Sequence, residues 1–519
     1  MPTHPPNIVL VIADQLAPQS LPVYGHPLVR APHIAALAAS GVVFDNAYCN
    51  APLCAPSRFS FLSGRHCSRI GAYDNAAEFP SAVPTLAHYL RRLGYLTLLC
   101  GKMHLVGADQ LHGFEERLTT DVYPADFGWF VDWENPRTRP FWYHNMLSVV
   151  EAGRYERTLQ LDFDEEVAHQ ARRRLYELGR RRDRQPFFLT VSFTQPHDPY
   201  MAPGEWWDRY DHAAIDPPRV GPFPADRTDP HSRRLQAVYA TDEYEVGDDQ
   251  VRNARHAYYA MISWVDDQIG ELRKALETTG LDRDTMVVIA ADHGDMLGER
   301  GLWYKMCFYE RALRVPLIFS GAGIERAGRR AENVTLLDLL PTVVDFGGGA
   351  TALGELETHD GASLRPLIEG RPTTDFEQRT VAAEYLAEGA VAPMLMLKHG
   401  PWKQISCPAD PAQLFNLDAD PLELDNLAGR PEVTALESKL DALAAAHWDP
   451  ASMRERVIAS QRDRRIVHAA LMRGKVTPWD FQPRRDAATE YNRNHGNELY
   501  DTDRRARIPY REAPPPKTR

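Results

Sequence analysis

Long apolar runs are missing from this sequence. No stretch of its 519 residues approaches the ~18 apolar residues in a row that a membrane-spanning helix needs, so no membrane partner is expected. Cysteine is scarce: the six, at 49, 54, 67, 100, 307 and 407, include no CxxC pair. That excludes a disulfide framework and a thiolate zinc site, and most of these thiols are expected to be buried. Positive charge is outnumbered, with 59 Lys and Arg against 71 Asp and Glu and a formal charge of −12. Nucleic acid is met by a basic surface, so it is not expected as a partner. Residues Met1 to Pro6 lack the basic start of a secretory signal, which makes the cytoplasm the expected location. Core-forming residues are plentiful: 44% hydrophobic and 25% charged lies in the globular range and excludes a disordered chain.

Short apolar runs alternate with helical patterns. Strands are expected at Asn7–Ile12, Tyr95–Cys100, Phe187–Phe193, Thr285–Ala290 and Val315–Phe319. Helices are expected at Pro32–Ser40, Thr85–Leu93, Phe163–Arg181, Val251–Thr279 and Thr335–Phe346. Continuous apolar strands separated by helices predict an α/β fold, a large and mostly parallel sheet sandwiched by helices. This pattern spans residues 1–375. Shorter strands (Met394–Lys398, Trp402–Ser406) and a helix at Val433–His447 predict a small antiparallel α+β domain over 376–448. Residues 449–519 begin with a basic helical stretch and continue as a polar tail with apolar anchors at Trp479, Phe481 and Tyr491.

The most informative segment is Leu53-Cys-Ala-Pro-Ser-Arg58 followed by Leu62-Ser-Gly-Arg65. Pro56 suits a first helical turn, and Ser57–Leu62 can continue it, so Cys54 sits at a helix N-terminus, where unpaired N–H groups favour negative charge. The string resembles the signature of the sulfatase family, matching at each defining position. The resemblance implies that Cys54 is oxidised by a formylglycine-generating enzyme to formylglycine, whose hydrate is the nucleophile. It also implies that Arg58 orients that hydrate.

Two further pairs follow predicted strands: Asp14-Gln15 after the first, and Asp292-His293 after Thr285–Ala290. Ligands gather beyond the carboxyl ends of strands in doubly wound sheets, so the pairs can meet despite their separation. Two carboxylates, a carboxamide oxygen and an imidazole suit one divalent ion, Ca²⁺ first, with Mn²⁺ and Mg²⁺ as alternatives. Many sulfatases carry a second Asp before the first and an Asn after the last. Ala13 and His293 stand there in this chain, closer to choline sulfatases and phosphonate monoester hydrolases.

A sulfate ester needs fixed cations for its oxygens and a proton donor for its leaving group. Gly101-Lys102-Met-His104, Gln195-Pro-His197 and Leu302-Trp-Tyr-Lys305 are similar to sulfatase elements. By that resemblance Lys102 and Lys305 grip the sulfate, His197 protonates the leaving oxygen and His104 assists return to the aldehyde. Asp292 would polarise the nucleophilic hydroxyl while holding metal, and Asn75 would contact substrate.

Further strings, from Ser63 to Asn75, Phe114 to Trp129 and Thr477 to Pro483, look like choline sulfatases, as does the tail beyond Trp448. This resemblance implies hydrolysis of choline-O-sulfate to choline and sulfate, and a homotetramer in which the tail helps close a neighbour's site. A trimethylammonium group has no N–H to donate, so it needs aromatic faces and a carboxylate. Trp129, in the aromatic stretch running to Phe141–Asn145, is the expected aromatic face. Asn145 should line the pocket, and Glu384 is the expected carboxylate. The tail acids Glu498 and Asp501 are further candidates. Hydrolysis of phosphonate monoesters, phosphodiesters or aryl sulfates is the alternative activity, and a non-catalytic quaternary-ammonium binder with an unmodified Cys54 the more distant one.

Overall fold

The computed structural model describes residues 5–136, 139, 144–183, 185–354, 356, 359–371, 373–473 and 499–509. Phe141, Trp479, Phe481, Tyr491 and Glu498 lie outside the described residues.

Asn7–Ala13 runs through the middle of an eight-stranded sheet. Across that sheet the order is Gly328–Thr335, Val42–Tyr48, Leu317–Gly321, Thr285–Ala290, Asn7–Ala13, Phe187–Phe193, Leu96–Gly101 and Glu116–Arg117. Val9 stands opposite Leu189 on one side and Val287 on the other, both pairings parallel. Residues 8–13, 187–193 and 285–290 are all buried, because helices cover both faces, and this is why these strands read as unbroken apolar runs. Leu317–Gly321 is the exception to the parallel arrangement, running antiparallel to both neighbours. The chain between it and Ala290 holds only the single-turn helices Glu299–Gly301 and Glu310–Leu313, so it turns back instead of crossing over. The helices Leu159–Gly179 and Asp248–Thr279 pack together over the sheet.

A second sheet holds Thr380–Tyr385, Met394–His399, Trp402–Cys407 and Asp410–Asn416, all antiparallel. Its side chains alternate between two cores. Val381, Ala383, Met396 and Ile405 join the main core, while Leu395, Leu397 and Leu414 pack with Val433 and Leu440 from the helix Thr434–His447 and its cap. Helix Pro450–Leu471 follows, capped by the Asp449 side chain on the Ser452 N–H. Farther on, Ile508–Pro509 pairs with Gly153–Arg157, which also pairs with Met201–Pro203. Among the described residues no helix is long and apolar enough to cross a membrane.

Candidate active site

The carboxyl ends of the parallel strands converge, and the chain after each delivers one group. Asp14 follows Asn7–Ala13, Lys102 follows Leu96–Gly101, His197 lies beyond Phe187–Phe193, Asp292 and His293 lie beyond Thr285–Ala290, and Cys54 lies beyond Val42–Tyr48. Cys54 opens the helix Cys54–Ser63, all of whose residues are buried, and Gly64 ends it at φ 66 with its N–H on the Ser60 carbonyl. Gly101 permits the next approach: at φ 101, a Cβ there would stand 2.0 Å from the Ser192 carbonyl oxygen.

Around Cys54 the side chains form one buried network. Its Sγ is 3.2 Å from His293 Nε2 and 4.0 Å from Asp14 Oδ1. His293 Nδ1 donates to the Gly294 carbonyl at 3.0 Å, which leaves Nε2 as the lone pair facing the thiol. Arg58 Nε donates to Asp292 Oδ2 at 2.8 Å, and its Nη1 donates to the Lys102 carbonyl at 2.7 Å and to Ser192 Oγ at 2.9 Å. Lys102 Nζ pairs with Asp14 and lies 4.1 Å from the centre of the Tyr123 ring. Lys305 Nζ donates to Gln15 Oε1 at 2.6 Å and to His197 Nε2 at 2.7 Å, while His197 Nδ1 donates to the Asp198 carbonyl at 2.6 Å.

Burial sets the protonation of this network, corrected by its charges. Burial alone would raise Asp14, but Lys102 and Arg58 hold its carboxyl well below the usual range. Burial pushes the Cys54 thiol up to about 11 in spite of Lys102 and Lys305. Burial together with the two lysines holds His104 and His197 well below the ordinary imidazole value.

Asp14, Asp292, His293 and Cys54 bring their ligand atoms within 4.8 Å of one another. Two carboxylates and an imidazole with a free lone pair fit a hard divalent cation. The Gln15 side chain, expected as a fourth ligand, has hydrogen-bond partners of its own. Its Nε2 donates to Asp295 at 2.7 Å and its Oε1 accepts from Lys305, while only its backbone N–H reaches Asp292 Oδ1, at 3.1 Å. Asn75, expected to contact substrate, also supports the Cys54 helix. Its Oδ1 accepts the Ala55 N–H at 3.0 Å and so caps the helix that carries Cys54.

The residues expected around the head group divide. Trp129 is brought in: its ring centre is 5.5 Å from that of His104 and 5.2 Å from that of Tyr123. Asn145 is nearby, but its Oδ1 accepts the Leu147 N–H at 3.0 Å and its carbonyl accepts the Tyr304 hydroxyl at 2.5 Å. Glu384 is not brought in. Its oxygens accept from Cys67 Sγ at 3.0 Å, the Ser68 N–H at 2.8 Å, Ser68 Oγ at 2.6 Å and His447 Nε2 at 2.6 Å. Asp501 is exposed on the helix Leu499–Ala506. Asp503, buried on that helix, is the described tail acid whose charge reaches Tyr123. A cavity of about 1070 Å³, lined by His26, Arg255, Glu310 and Lys398 among others, touches none of the residues around Cys54.

The sulfatase family model matches residues 6–349. The chain belongs to the sulfatase family. Two further models match: choline sulfatase enzyme C terminal over residues 455–508, and N-sulphoglucosamine sulphohydrolase C-terminal over 298–447. The choline-sulfatase of Rhizobium meliloti (strain 1021) is 46% identical over 505 residues, covering 96% of this chain and 97% of that protein. Arylsulfatase K of Homo sapiens is 27% identical over 470 residues, covering 84% and 82%. Among solved structures, the phosphonate monoester hydrolase from Silicibacter pomeroyi shares the fold, with a TM-score of 0.69 at 24% identity over 85% of this chain and 95% of that one.

Reading the sequence missed several groups of this sulfatase. Asp121 accepts the N–H groups of Met103 and His104, each at 2.9 Å, and so fixes the loop that presents Lys102 and His104. His144 lies with its ring centre 5.5 Å from that of His197. Glu388 is buried, and its Oε2 has no hydrogen-bond partner among the described residues. Burial and nearby Asp74 push its carboxyl up to about 7, against Lys305 and Arg464. The only signal for Glu388 lay in its segment, Glu384-Tyr-Leu-Ala-Glu388, which offered two acids without saying which keeps an unpartnered oxygen.

Proposed function

We propose that this sulfatase hydrolyses choline-O-sulfate to choline and sulfate, with Cys54, converted to formylglycine, as the nucleophile. The observation that carries the reading is the convergence of Arg58, Lys102 and Lys305 on a buried Cys54, in a chain related over nearly its whole length to a choline-sulfatase. Arg58, Lys102 and Lys305 are three fixed cations facing the two carboxylates Asp14 and Asp292, so the site carries spare positive charge for a sulfate monoanion. Asp14, Asp292 and His293 would hold one divalent ion, calcium being the favoured one, which when bound supplies Lewis acidity toward the sulfate oxygens.

The chain's own groups then divide the work. Arg58 holds Asp292 in place and presents its remaining guanidinium edge to the nucleophile. Lys102 and Lys305 neutralise the non-bridging oxygens. Choline leaves as an alkoxide, a poor leaving group without a proton, and the proton shared between Lys305 Nζ and His197 Nε2 is placed to meet it. His104, with both ring nitrogens free of hydrogen-bond partners among the described residues, is placed to take a proton as sulfate departs. Trp129 offers a face to the trimethylammonium group, and Glu388 offers the compensating carboxylate that was expected from Glu384. The same reading extends to a cytoplasmic homotetramer in which the tail helps close a neighbour's site, and residues 455–508 match the choline sulfatase C-terminal model.

The deciding experiment compares turnover of choline sulfate, 4-nitrophenyl sulfate and a phenyl phosphonate monoester, alongside the mass of the Cys54 peptide. Efficient cleavage of choline sulfate by chains that carry the aldehyde is expected. Preference for the phosphonate, or turnover by chains with an intact thiol, would overturn the proposal.

A further inference from the structure

Helix Pro450–Leu471 presents Gln461, Arg464 and Arg465 on one face, spaced so that they are neighbours on the helix surface. That face touches two separate segments, the chain at Asp132–Trp133 and the turn at Asp74. Gln461 Oε1 accepts the Trp133 N–H at 2.9 Å, and Arg465 Nη1 donates to Asp132 Oδ2 at 2.7 Å, so the end of the aromatic loop is held. Between them Arg464 reaches the second segment. Its Nη1 and Nη2 donate to the two oxygens of Asp74 at 2.5 and 2.9 Å, and the pair is buried, with side chains 6% and 0% exposed. Asp74 also accepts the Ala76 N–H at 3.0 Å, which closes a tight turn around Asn75. Asn75 in turn caps the helix of Cys54 through the Ala55 N–H.

We infer that Arg464 is a positioning residue for the nucleophile: through Asp74 it sets the Asn75 turn, and through that turn the first N–H groups of the Cys54 helix. Arg464 lies within the segment matched by the choline sulfatase C-terminal model, so this segment acts on the active site of its own chain. A buried guanidinium forked onto both oxygens of a carboxylate fixes direction as well as distance, which a single-point ammonium cannot do. The inference rests on the assignment of Cys54 as nucleophile but not on choline as the substrate.

The test measures kcat and KM of Arg464→Ala and Arg464→Lys with choline sulfate and with 4-nitrophenyl sulfate, per chain carrying formylglycine as counted by peptide mass. For Arg464→Ala, kcat should fall roughly thirtyfold or more on both substrates with KM changed less than about threefold. Arg464→Lys should recover only part of kcat, and millimolar guanidinium, but not ammonium, should restore turnover to Arg464→Ala. A purely structural bridge would lower thermal stability and leave kcat per folded, converted chain unchanged; that result overturns the inference. So does a selective rise in KM for choline sulfate, which would place Arg464 in head-group recognition. If both variants fail to fold, Asp74→Asn is measured in the same way, and failure of all three to fold also overturns it. Failure of the choline assignment would appear instead as poor choline sulfate turnover by the unaltered enzyme.

Discussion

Glu384 and Glu388 stand four residues apart, and both are buried, yet their surroundings drive them in opposite directions. Burial would raise both. For Glu384 it is outweighed by the hydrogen bond from His447, the nearby His66 and the bonds from Ser68, so its carboxyl sits at about 2. For Glu388, burial and Asp74 prevail and its carboxyl sits at about 7. Glu384 lies inside the strand Thr380–Tyr385, with its side chain inserted between the Cys67–Ser68 turn and the last residue of helix Thr434–His447. Glu388 lies beyond the strand, where its charge reaches Lys305 and Arg464. A carboxylate that is already satisfied holds the protein together. One with an unpartnered oxygen has something left to offer a cationic ligand.

The comparison is sharpest on a background without turnover. Cys54→Ala should remain folded and lose all measurable hydrolysis of both choline and aryl sulfates, and more than a few per cent of residual activity would contradict the nucleophile assignment. This variant should still bind choline, so both glutamates can be examined by calorimetry.

Glu388→Gln removes the charge proposed to face the ammonium. A close, desolvated charge pair is worth about 3 kcal/mol, so choline affinity should fall roughly a hundredfold. Turnover of 4-nitrophenyl sulfate by the otherwise active enzyme should change little. Equal losses on both substrates would move Glu388 from recognition to structure.

Trp129→Ala tests the other residue proposed to read the head group. An aromatic face in a desolvated site contributes about 2 kcal/mol, or roughly thirtyfold, to binding a quaternary ammonium. The loss should again be selective for choline sulfate. If both sulfates suffer alike, Trp129 is packing against His104 and Tyr123 and not reading the ligand.

Glu384→Gln should behave in the reverse way. A carboxamide cannot accept from every donor now aimed at the carboxylate, so folding should weaken by about 3 kcal/mol in denaturant titrations, while choline affinity stays within about twofold. The pH signature follows from the depressed carboxyl. Below the ordinary value of 4.5 the unfolded chain takes up the proton before the folded one does. The stability from Glu384 is therefore complete above pH 4.5 and is lost as pH falls toward about 2. A Glu384→Gln variant with unchanged stability between pH 5 and 8 would break the contrast.

Why the sequence pointed to Glu384 and passed over Glu388 has a physical answer. Asp14, Lys102, His197 and Asp292 each follow a strand buried on both faces, and such strands announce themselves as apolar runs. The place of Cys54 was equally plain from its helix-start string. Gly328–Thr335 escaped notice because it is a sheet edge, Gly-Arg-Arg-Ala-Glu-Asn, with exposed and half-exposed residues over its first half. Asp121 and His144 escaped because loops place them, and loops carry no periodicity. Glu384 and Glu388 differ only in where the strand stops, at Tyr385, and in which elements come to meet each side chain. Those neighbours, His447 for one and Asp74 with Arg464 for the other, are distant in sequence. The hydrophobic pattern predicts the strand and is silent on what packs beyond its end.

The smallest expected effect is also the most specific to Glu388. With its carboxyl raised from 4.5 to about 7, the free protein holds roughly half a proton there at pH 7. The folded state then binds more protons than the unfolded one between pH 4.5 and 7, so this group's contribution to stability falls as pH rises through that window and levels off above it. A bound quaternary ammonium favours the charged carboxylate and lowers its affinity for the proton. Choline binding to the Cys54→Ala protein should therefore release about half a proton at pH 7 and almost none at pH 9. Calorimetry in two buffers of different ionisation enthalpy measures that release directly. Asp198, which burial raises to about 6, could contribute a release of its own, so the same titration on Cys54→Ala/Glu388→Gln is the necessary control. Release that persists in the double variant would assign the proton elsewhere, and with it the carboxylate that meets the choline head group.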